Sequence, residues 1–202
     1  LQDFWNERFS EPGYAYGTDA NTFLITEAQR LQPGMRVLVV GDGEGRNGVW
    51  LAQQDLAVTS VDYSAAGVER ARQLAAERGV TLDILCTDMN DWRWPTAHFD
   101  AVVSIFVHFP SAMRPALHAR MLTALKPGGV LILEAFSKEQ LDYPSGGPPV
   151  EDALFSADLL LEDFAAADIE LCREQVVRLD EGKYHVGPAA VVRLIARRSA
   201  SA

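Results

Sequence analysis

Basic residues are the scarce class in this chain. Its 202 residues carry 18 Lys and Arg against 28 Asp and Glu, a formal net charge of −10. A surface of that sign repels a nucleic-acid backbone, whose binding needs clustered cations. The short group Arg193, Arg197 and Arg198 reads as the end of a strand, not a patch. Cysteine is rarer still. Cys86 and Cys172 sit in apolar, strand-like runs with no C-x-x-C spacing, which excludes a disulfide scaffold and a cysteine metal site. Both are expected to be reduced core thiols of a cytoplasmic protein. No apolar run approaches the roughly 20 residues that cross a bilayer, so no membrane partner is expected. There is no internal repeat or low-complexity tract. The chain opens on Leu1 and not on Met, so its natural start is expected upstream.

What is present is an ordinary globular composition, 48% hydrophobic and 23% charged, enough for one domain over residues 1–202. A polar-aromatic arm runs from Phe4-Trp5 to Tyr16-Gly17. A helix from about Asn21 to Leu31 follows, with Phe23, Leu24, Glu27, Ala28 and Leu31 at helical spacing before Pro33-Gly34. Strands then alternate with helices. Strands are expected at Arg36–Val40, Ala57–Val61, Thr81–Cys86, Phe99–Ile105 and Val130–Ala135. Helices are expected at Asn47–Gln54, from the Ser64 cap to Arg78 with Gly79 as its stop, and from Pro110 or Ser111 to Leu125. Repeated β-α-β units make a parallel sheet with helices on both faces, whose ligand lies beyond the carboxyl ends of the strands. The tail differs. A Gly- and Pro-rich loop over Ser137–Pro149 leads to a helix near Ser156–Ala166, and the runs Ile169–Leu179 and Ala189–Ala196 form an antiparallel hairpin.

The most informative segment is Val37-Leu38-Val39-Val40-Gly41-Asp42-Gly43-Glu44-Gly45-Arg46-Asn47. A strand entering alternating glycines and then a helix lets a nucleoside-type ligand approach the backbone. A strict G-x-G-x-x-G also lies here, from Gly43 to Gly48, with Asp62 following Gly43 by 19 residues. That is the spacing of a dinucleotide fingerprint. Charge argues against a dinucleotide. Asp42 and Glu44 beside a pyrophosphate would repel it by several kcal/mol at an effective dielectric near 20. S-adenosylmethionine carries a sulfonium and an ammonium and no phosphate, and an acidic turn suits it. Asp62, ending the second strand before Tyr63, can accept from both ribose hydroxyls. In Thr87-Asp88-Met89, Asp88 can accept from an adenine amino group or serve as a turn residue, and Met89 offers a soft face for the ring.

In this order and spacing, the Gly41–Gly45 turn, Val61-Asp62, Thr87-Asp88-Met89, Phe99-Asp100-Ala101-Val102-Val103-Ser104 and Leu125-Lys126-Pro127-Gly128-Gly129-Val130-Leu131 resemble the class I S-adenosylmethionine-dependent methyltransferases. Tyr16-Gly17, Gly43-Glu44-Gly45-Arg46-Asn47 and Ser104-Ile105-Phe106-Val107-His108-Phe109-Pro110 are similar to the tellurite-resistance and thiopurine methyltransferase branch. The resemblance implies an α/β, Rossmann-like sheet of seven mostly parallel strands with a C-terminal antiparallel hairpin. It implies that residues 1–32 cover the cofactor and that the 136–155 loop lies over the active site. Candidate cofactor contacts are Gly41, Asp42, Gly43, Gly45, Asn47, Asp62, Tyr63, Asp88, Met89, Ser104 and Ile105. One departure stands out. The class carries an acidic residue two places before the first glycine, and here that position is Val39; Asp42 is expected to take over its role.

Methyl transfer from a sulfonium needs alignment and exclusion of water more than acid catalysis. Candidate catalytic groups are His108, His185 and Tyr16; Tyr16, Arg46, Phe106 and Tyr143 are candidate substrate contacts, and Tyr14 a second aromatic for closing the site. Each has a plainer reading: His108 as a helix-leading residue, His185 as a solvated hairpin polar, Arg46 as a counter-charge to Asp42 and Glu44, Phe106 as core, and the arm tyrosines as surface aromatics. The expected activity is methylation of a small molecule, a thiol or a selenium or tellurium oxyanion, by a monomer or homodimer without a metal. The alternatives are an NAD(P)-dependent oxidoreductase, although no Tyr-x-x-x-Lys pair is present, and a non-catalytic S-adenosylmethionine binder.

Overall fold

A computed structural model of the chain describes residues 2–200. Seven strands form one sheet: β1 (Arg36–Val40), β2 (Ala57–Asp62), β3 (Asp83–Cys86), β4 (Phe99–Ile105), β5 (Leu125–Phe136), β6 (Ala167–Glu181) and β7 (His185–Arg198). Their order is β3-β2-β1-β4-β5-β7-β6. The first five are parallel, and β7 pairs antiparallel with both β5 and β6. Strand order reverses between β1 and β4, so the crevice expected of such sheets opens above that pair. The architecture is the Rossmann-like one with its antiparallel hairpin.

The sheet is buried on both faces because its strands are apolar at successive positions. Val37 and Val39 of β1 pack with Val103 and Ile105 of β4, beneath Phe23 and Leu24 of helix α2 (Thr22–Glu27) and Leu51 of α3 (Arg46–Ala52). Leu38, Val40 and Val102 face the other way. They meet Leu117 and Met121 of α5 (Arg114–Ala124) and Leu160 of α6 (Ala157–Asp163). Helix α4 (Ala65–Arg78) begins on Ser64, whose hydroxyl accepts from the Gly67 amide, and ends on the left-handed Gly79.

Several expected boundaries move. The arm opens with a helix, α1 (Gln2–Ser10), packed on α4. The helix after Asn21 is short, and its last turn tightens to 3-10 geometry over Ala28–Arg30. Helix α5 starts at Arg114 because Pro110–Met113 forms a turn whose Ser111 amide donates to the Asp152 carboxylate. The hairpin is longer than expected, with Glu181 paired to His185 across its turn and Pro188 inside β7. Proline is tolerated there because β5 stops pairing at Phe136–Val191. The Ala190 amide already points away from β6, to the Gln140 side chain, and Pro188 faces the same way. Cys86 is exposed and Cys172 half-buried, so neither is the core thiol expected, and both are free. No helix among the described residues is long and apolar enough to cross a membrane.

Candidate active site

The turn after β1 is the floor of the crevice. The Gly41 amide donates to the Val61 carbonyl at 2.8 Å, tying the turn to β2. Gly41 and Gly43 adopt φ of +59° and +56°. A Cβ on Gly41 would lie 2.7 Å from Cγ2 of Val107, and one on Gly43 2.9 Å from Cζ of Phe9. Glycine is therefore required twice over, by conformation and by close approach. Phe9, buried and stacked on Trp5, carries α1 onto this turn. Asn6 on the same helix accepts from the Ser64 hydroxyl at 2.7 Å and the Ala66 amide at 3.4 Å.

The acidic residues of the turn do not face outward as the sequence reading supposed. Asp42 is buried beneath the turn. Both its oxygens accept from the Gly48 amide at 3.2 Å, and one accepts from the Ser60 hydroxyl at 2.9 Å. A Cβ on Gly48 would come within 2.3 Å of that carboxylate, which explains the third glycine of the G-x-G-x-x-G. Asp42 therefore does not replace the missing acidic residue at Val39, and Val39 itself is buried in the core. Glu44 accepts from the Ala15 amide at 2.7 Å and anchors the arm. Burial pushes the Asp42 pKa up to about 7 and raises that of Glu44.

Asp62 stands at the end of β2, with one oxygen on the Gly43 amide and the other on the Ser64 amide, each at 2.8 Å. A carboxylate has about four acceptor sites, so each oxygen retains one for a hydroxyl. Tyr63 follows it, half-buried, its carbonyl accepting from Gln2. Asp88 is exposed, and its Oδ1 accepts from the Asn90 amide and side chain, each at 2.8 Å, which is the turn reading. Met89 packs against the core edge. Asn47 accepts from the Asn21 amide at 3.0 Å. Ser104 and Ile105 are buried at the end of β4.

A second constellation lies where β4, β5 and the hairpin end together. His185 is buried, its ring centroid 4.4 Å from Tyr16, 4.7 Å from Phe106 and 5.2 Å from Phe136. Phe106 has φ +55°, which turns the chain sharply after β4; non-glycine residues in that region concentrate at functional sites. His185 Nδ1 lies 3.1 Å from Glu181, which also accepts from Arg46 at 2.8 Å and from Asn21 at 3.0 Å. Asn21 donates in turn to Glu134 at 2.7 Å, and Glu134 pairs with Arg193. Burial lowers the His185 pKa, and Glu181 offsets only part of this. Burial would raise that of Glu181, but the His185 and Arg46 bonds outweigh it and hold the carboxyl down at about 2.

His185, Tyr16, Arg46 and Phe106 are thus brought together. His108 and Tyr143 are not. His108 has Nδ1 at 2.8 Å from the Ala153 carbonyl, and Nε2 accepts from the Phe136 amide at 3.3 Å. Burial holds its pKa at about 4, and neither nitrogen is left for a substrate. Tyr143 is not among the ring partners of His185 in the described residues, and Tyr14 packs on α3 and α4 with Arg70 over its ring. Sequence reasoning missed Glu181, Asn21, Glu134 and Phe9. Glu134 carried a signal, as the only charge in the apolar run Val130–Phe136. The described residues hold no cluster of three His, Cys, Asp or Glu placed to bind a metal.

These residues fit a phosphate-free nucleoside cofactor. Asp62 keeps two acceptor sites, and the Asp42 side chain already fills the α3 N-terminus that a phosphate would need. Comparisons agree. Residues 37–129 match the family described as "Methyltransferase domain". A probable thiol methyltransferase of Arabidopsis thaliana is 35% identical over 123 residues, 59% of this chain and 53% of that protein. The chain thus spans about half the length of that relative. Among solved structures, one determined for conversion of a disulfide bond into a thioacetal group in echinomycin biosynthesis superposes with a TM-score of 0.77. It is 23% identical and covers 96% of this chain and 88% of its own. TehB from Haemophilus influenzae gives 0.73 at 17% identity, over 98% of this chain and 67% of that one. Residues 37–129 thus match a methyltransferase domain, and the chain as a whole shares the fold of these solved structures.

Proposed function

We propose that this methyltransferase acts on a small, neutral, soft nucleophile, a thiol foremost, and that His185 receives the acceptor's proton. The observation that carries this reading is the setting of His185. Its ring stands among Tyr16, Phe106 and Phe136, with Nδ1 on Glu181. Nε2 has no hydrogen-bond partner among the described residues and lies beside Gly146. The lowered pKa keeps the imidazole neutral at pH 7, as a base must be.

When bound, S-adenosylmethionine supplies a methyl carbon activated by its sulfonium. The chain's own part is to hold the acceptor sulfur in line and exclude water. As the methyl group left the sulfonium, which would depart as a neutral thioether, the acceptor's S–H would break and its proton pass to His185 Nε2. The imidazolium is then balanced by Glu181. Asp62, the Gly41–Gly45 turn and Met89 are assigned to the cofactor. Residues 2–32 are assigned to cover it, and the 136–155 loop to close the acceptor side, where Gly146 lies against His185; residue 1 lies outside the described residues.

Charge pairing favours a thiol over an oxyanion. The nearby cations are already committed, Arg46 to Glu181 and Arg193 to Glu134. Arg8 lies 3.7 Å above the Tyr184 ring and donates to Tyr16. Of these three only Arg8 lacks a carboxylate partner, so selenite or tellurite would meet little counter-charge. A thiol acceptor also suits the cytoplasm, where thiols stay reduced. The nicotinamide alternative is disfavoured by Asp42, which occupies the helix terminus a pyrophosphate would need.

The test measures S-adenosylhomocysteine formation across neutral thiols, selenite and tellurite, with cofactor binding followed by calorimetry. Thiols are expected to turn over and the oxyanions to lag. Asp62→Ala is expected to weaken cofactor binding at least about tenfold, the loss of one charge-assisted hydrogen bond. Turnover of oxyanions alone overturns the acceptor reading, and unchanged cofactor affinity in Asp62→Ala overturns the site.

A further inference from the structure

Glu181 does more than neutralise a buried arginine. It is the first partner of His185 across the hairpin turn, four residues before it, on the face of β6 and β7 that lines the aromatic chamber. Its Oε2 meets His185 Nδ1 at 3.1 Å and Arg46 Nη2 at 2.8 Å, and its Oε1 accepts from Asn21 at 3.0 Å. Arg46 opens α3 directly after the glycine turn, and Asn21 opens α2. One carboxylate therefore ties the turn assigned to the cofactor to the imidazole assigned to the acceptor.

We infer that Glu181 is a positioning residue that fixes His185 as the Nδ1–H tautomer and leaves its Nε2 lone pair, beside Gly146, free to act as the base. The inference rests on the proposed role of His185. An ionised carboxylate accepts only, so the nitrogen facing it must carry the hydrogen. The other nitrogen is then the base. Arg46 shares the same oxygen and keeps the carboxylate ionised. Asn21 fills the second oxygen, so the carboxylate cannot swing away. The charged and titratable groups around His185 are Glu181 on β6, Arg46 on α3, Arg8 on α1, Tyr16 in the arm and His108 after β4. Of these only Glu181 favours the protonated imidazole, so its removal leaves Arg46 and Arg8 unopposed.

The experiment compares wild type, Glu181→Gln and the double variant Glu181→Gln/Arg46→Met. Nitrogen-15 NMR of the imidazoles reports the His185 tautomer and its titration; thiol methylation against pH reports kcat and KM. In Glu181→Gln the Nδ1–H preference is expected to weaken and the His185 titration to shift to lower pH. The kcat is expected to fall on the order of 10²-fold, the lower end of what a positioned base contributes, with a much smaller change in KM for the thiol. The double variant removes the uncompensated arginine, so it guards against simple misfolding. It is expected to regain stability but not kcat.

Recovery of kcat in the double variant would show that Glu181 merely balances Arg46, and would overturn the inference. So would an unchanged tautomer together with an unchanged pH profile. Failure of the underlying reading looks different. In that case wild type methylates no thiol, or His185→Asn retains full kcat, whatever the NMR of Glu181→Gln shows.

Discussion

Both carboxylate oxygens of Asp42 accept from the amide of Gly48, at 3.2 Å, beneath the turn that follows β1. The chain thus supplies its own acceptor to the first turn of α3. Burial raises the Asp42 pKa to about 7 from the ordinary 3.8, with the Ser60 and Gly48 hydrogen bonds only partly opposing it. The folded state therefore binds a proton that the unfolded state releases between about pH 4 and pH 7. Stability from this group is present at the acid end of that window and lost as pH rises through it. Asp42→Asn keeps an acceptor for Gly48 and cannot titrate. Denaturation midpoints measured from pH 4 to pH 8 are expected to converge toward the wild type at low pH and to exceed it at high pH. Parallel curves would show that Asp42 is charged throughout.

The same residue marks what the sequence discloses and what it hides. Strand β4 reads as Phe99–Ile105 from its apolar run and has those bounds, and the Ser64 cap and Gly79 stop place α4. Such elements follow from local pattern. The charge of Asp42 was also visible, but its direction was not, because that depends on the missing Cβ of Gly48 in the next helix. Helix α1 has nine residues, too short to be stable alone. It forms because Phe9 and Asn6 meet the turn and the start of α4. The pairing of Glu181 with His185 required the register of a hairpin whose turn is only three residues, Gly182–Tyr184. The site is therefore legible where one segment makes it and illegible where distant segments converge.

Gly43→Ala tests the seat of the N-terminal helix. The new methyl would sit 2.9 Å from Phe9, at φ +56°. Overpacking of this kind costs about 1–3 kcal/mol. Much of that cost is expected to appear as detachment of α1, since the helix is held by few buried groups. Hydrogen exchange should quicken in residues 2–10 while β1 and β4 stay protected, and cofactor affinity should drop. Uniform loss of protection across the sheet would instead make α1 part of one cooperative unit.

The two thiols should separate by reactivity. Cys86 ends β3 at the sheet edge and is exposed, whereas Cys172 is half-buried and its pKa is raised by burial and by Glu174 and Asp158. The thiolate is the nucleophile. In the native protein a disulfide reagent is expected to modify Cys86 at least about tenfold faster than Cys172. Cys86→Ser should remove the fast phase and leave the slow one. Two equal phases would contradict the placement of Cys172.

His118 gives the fold an acid-sensitive point on the opposite face of the sheet. Its side chain is fully buried, with Nδ1 at 2.7 Å from Asp163 and the ring stacked on Phe164 at 4.8 Å. Nε2 is buried without a partner among the described residues. A proton there would have no acceptor, and burial lowers the His118 pKa below its ordinary 6.5 despite the help of Asp163. A group of this kind contributes stability that is complete above the unfolded value and declines as pH falls below it. The sign opposes that of Asp42, so the two partly cancel between pH 4 and pH 6.5 in the wild type. His118→Phe keeps a ring against Phe164 and leaves Asp163 to Arg114, which already bonds it at 2.7 Å. The variant is expected to be less stable than wild type at pH 8, for want of the Asp163 bond, by about 1–3 kcal/mol. That deficit should shrink as pH falls through 6 to 5. A deficit that grows as pH falls would instead mean that His118 is protonated in the folded state and ion-paired with Asp163.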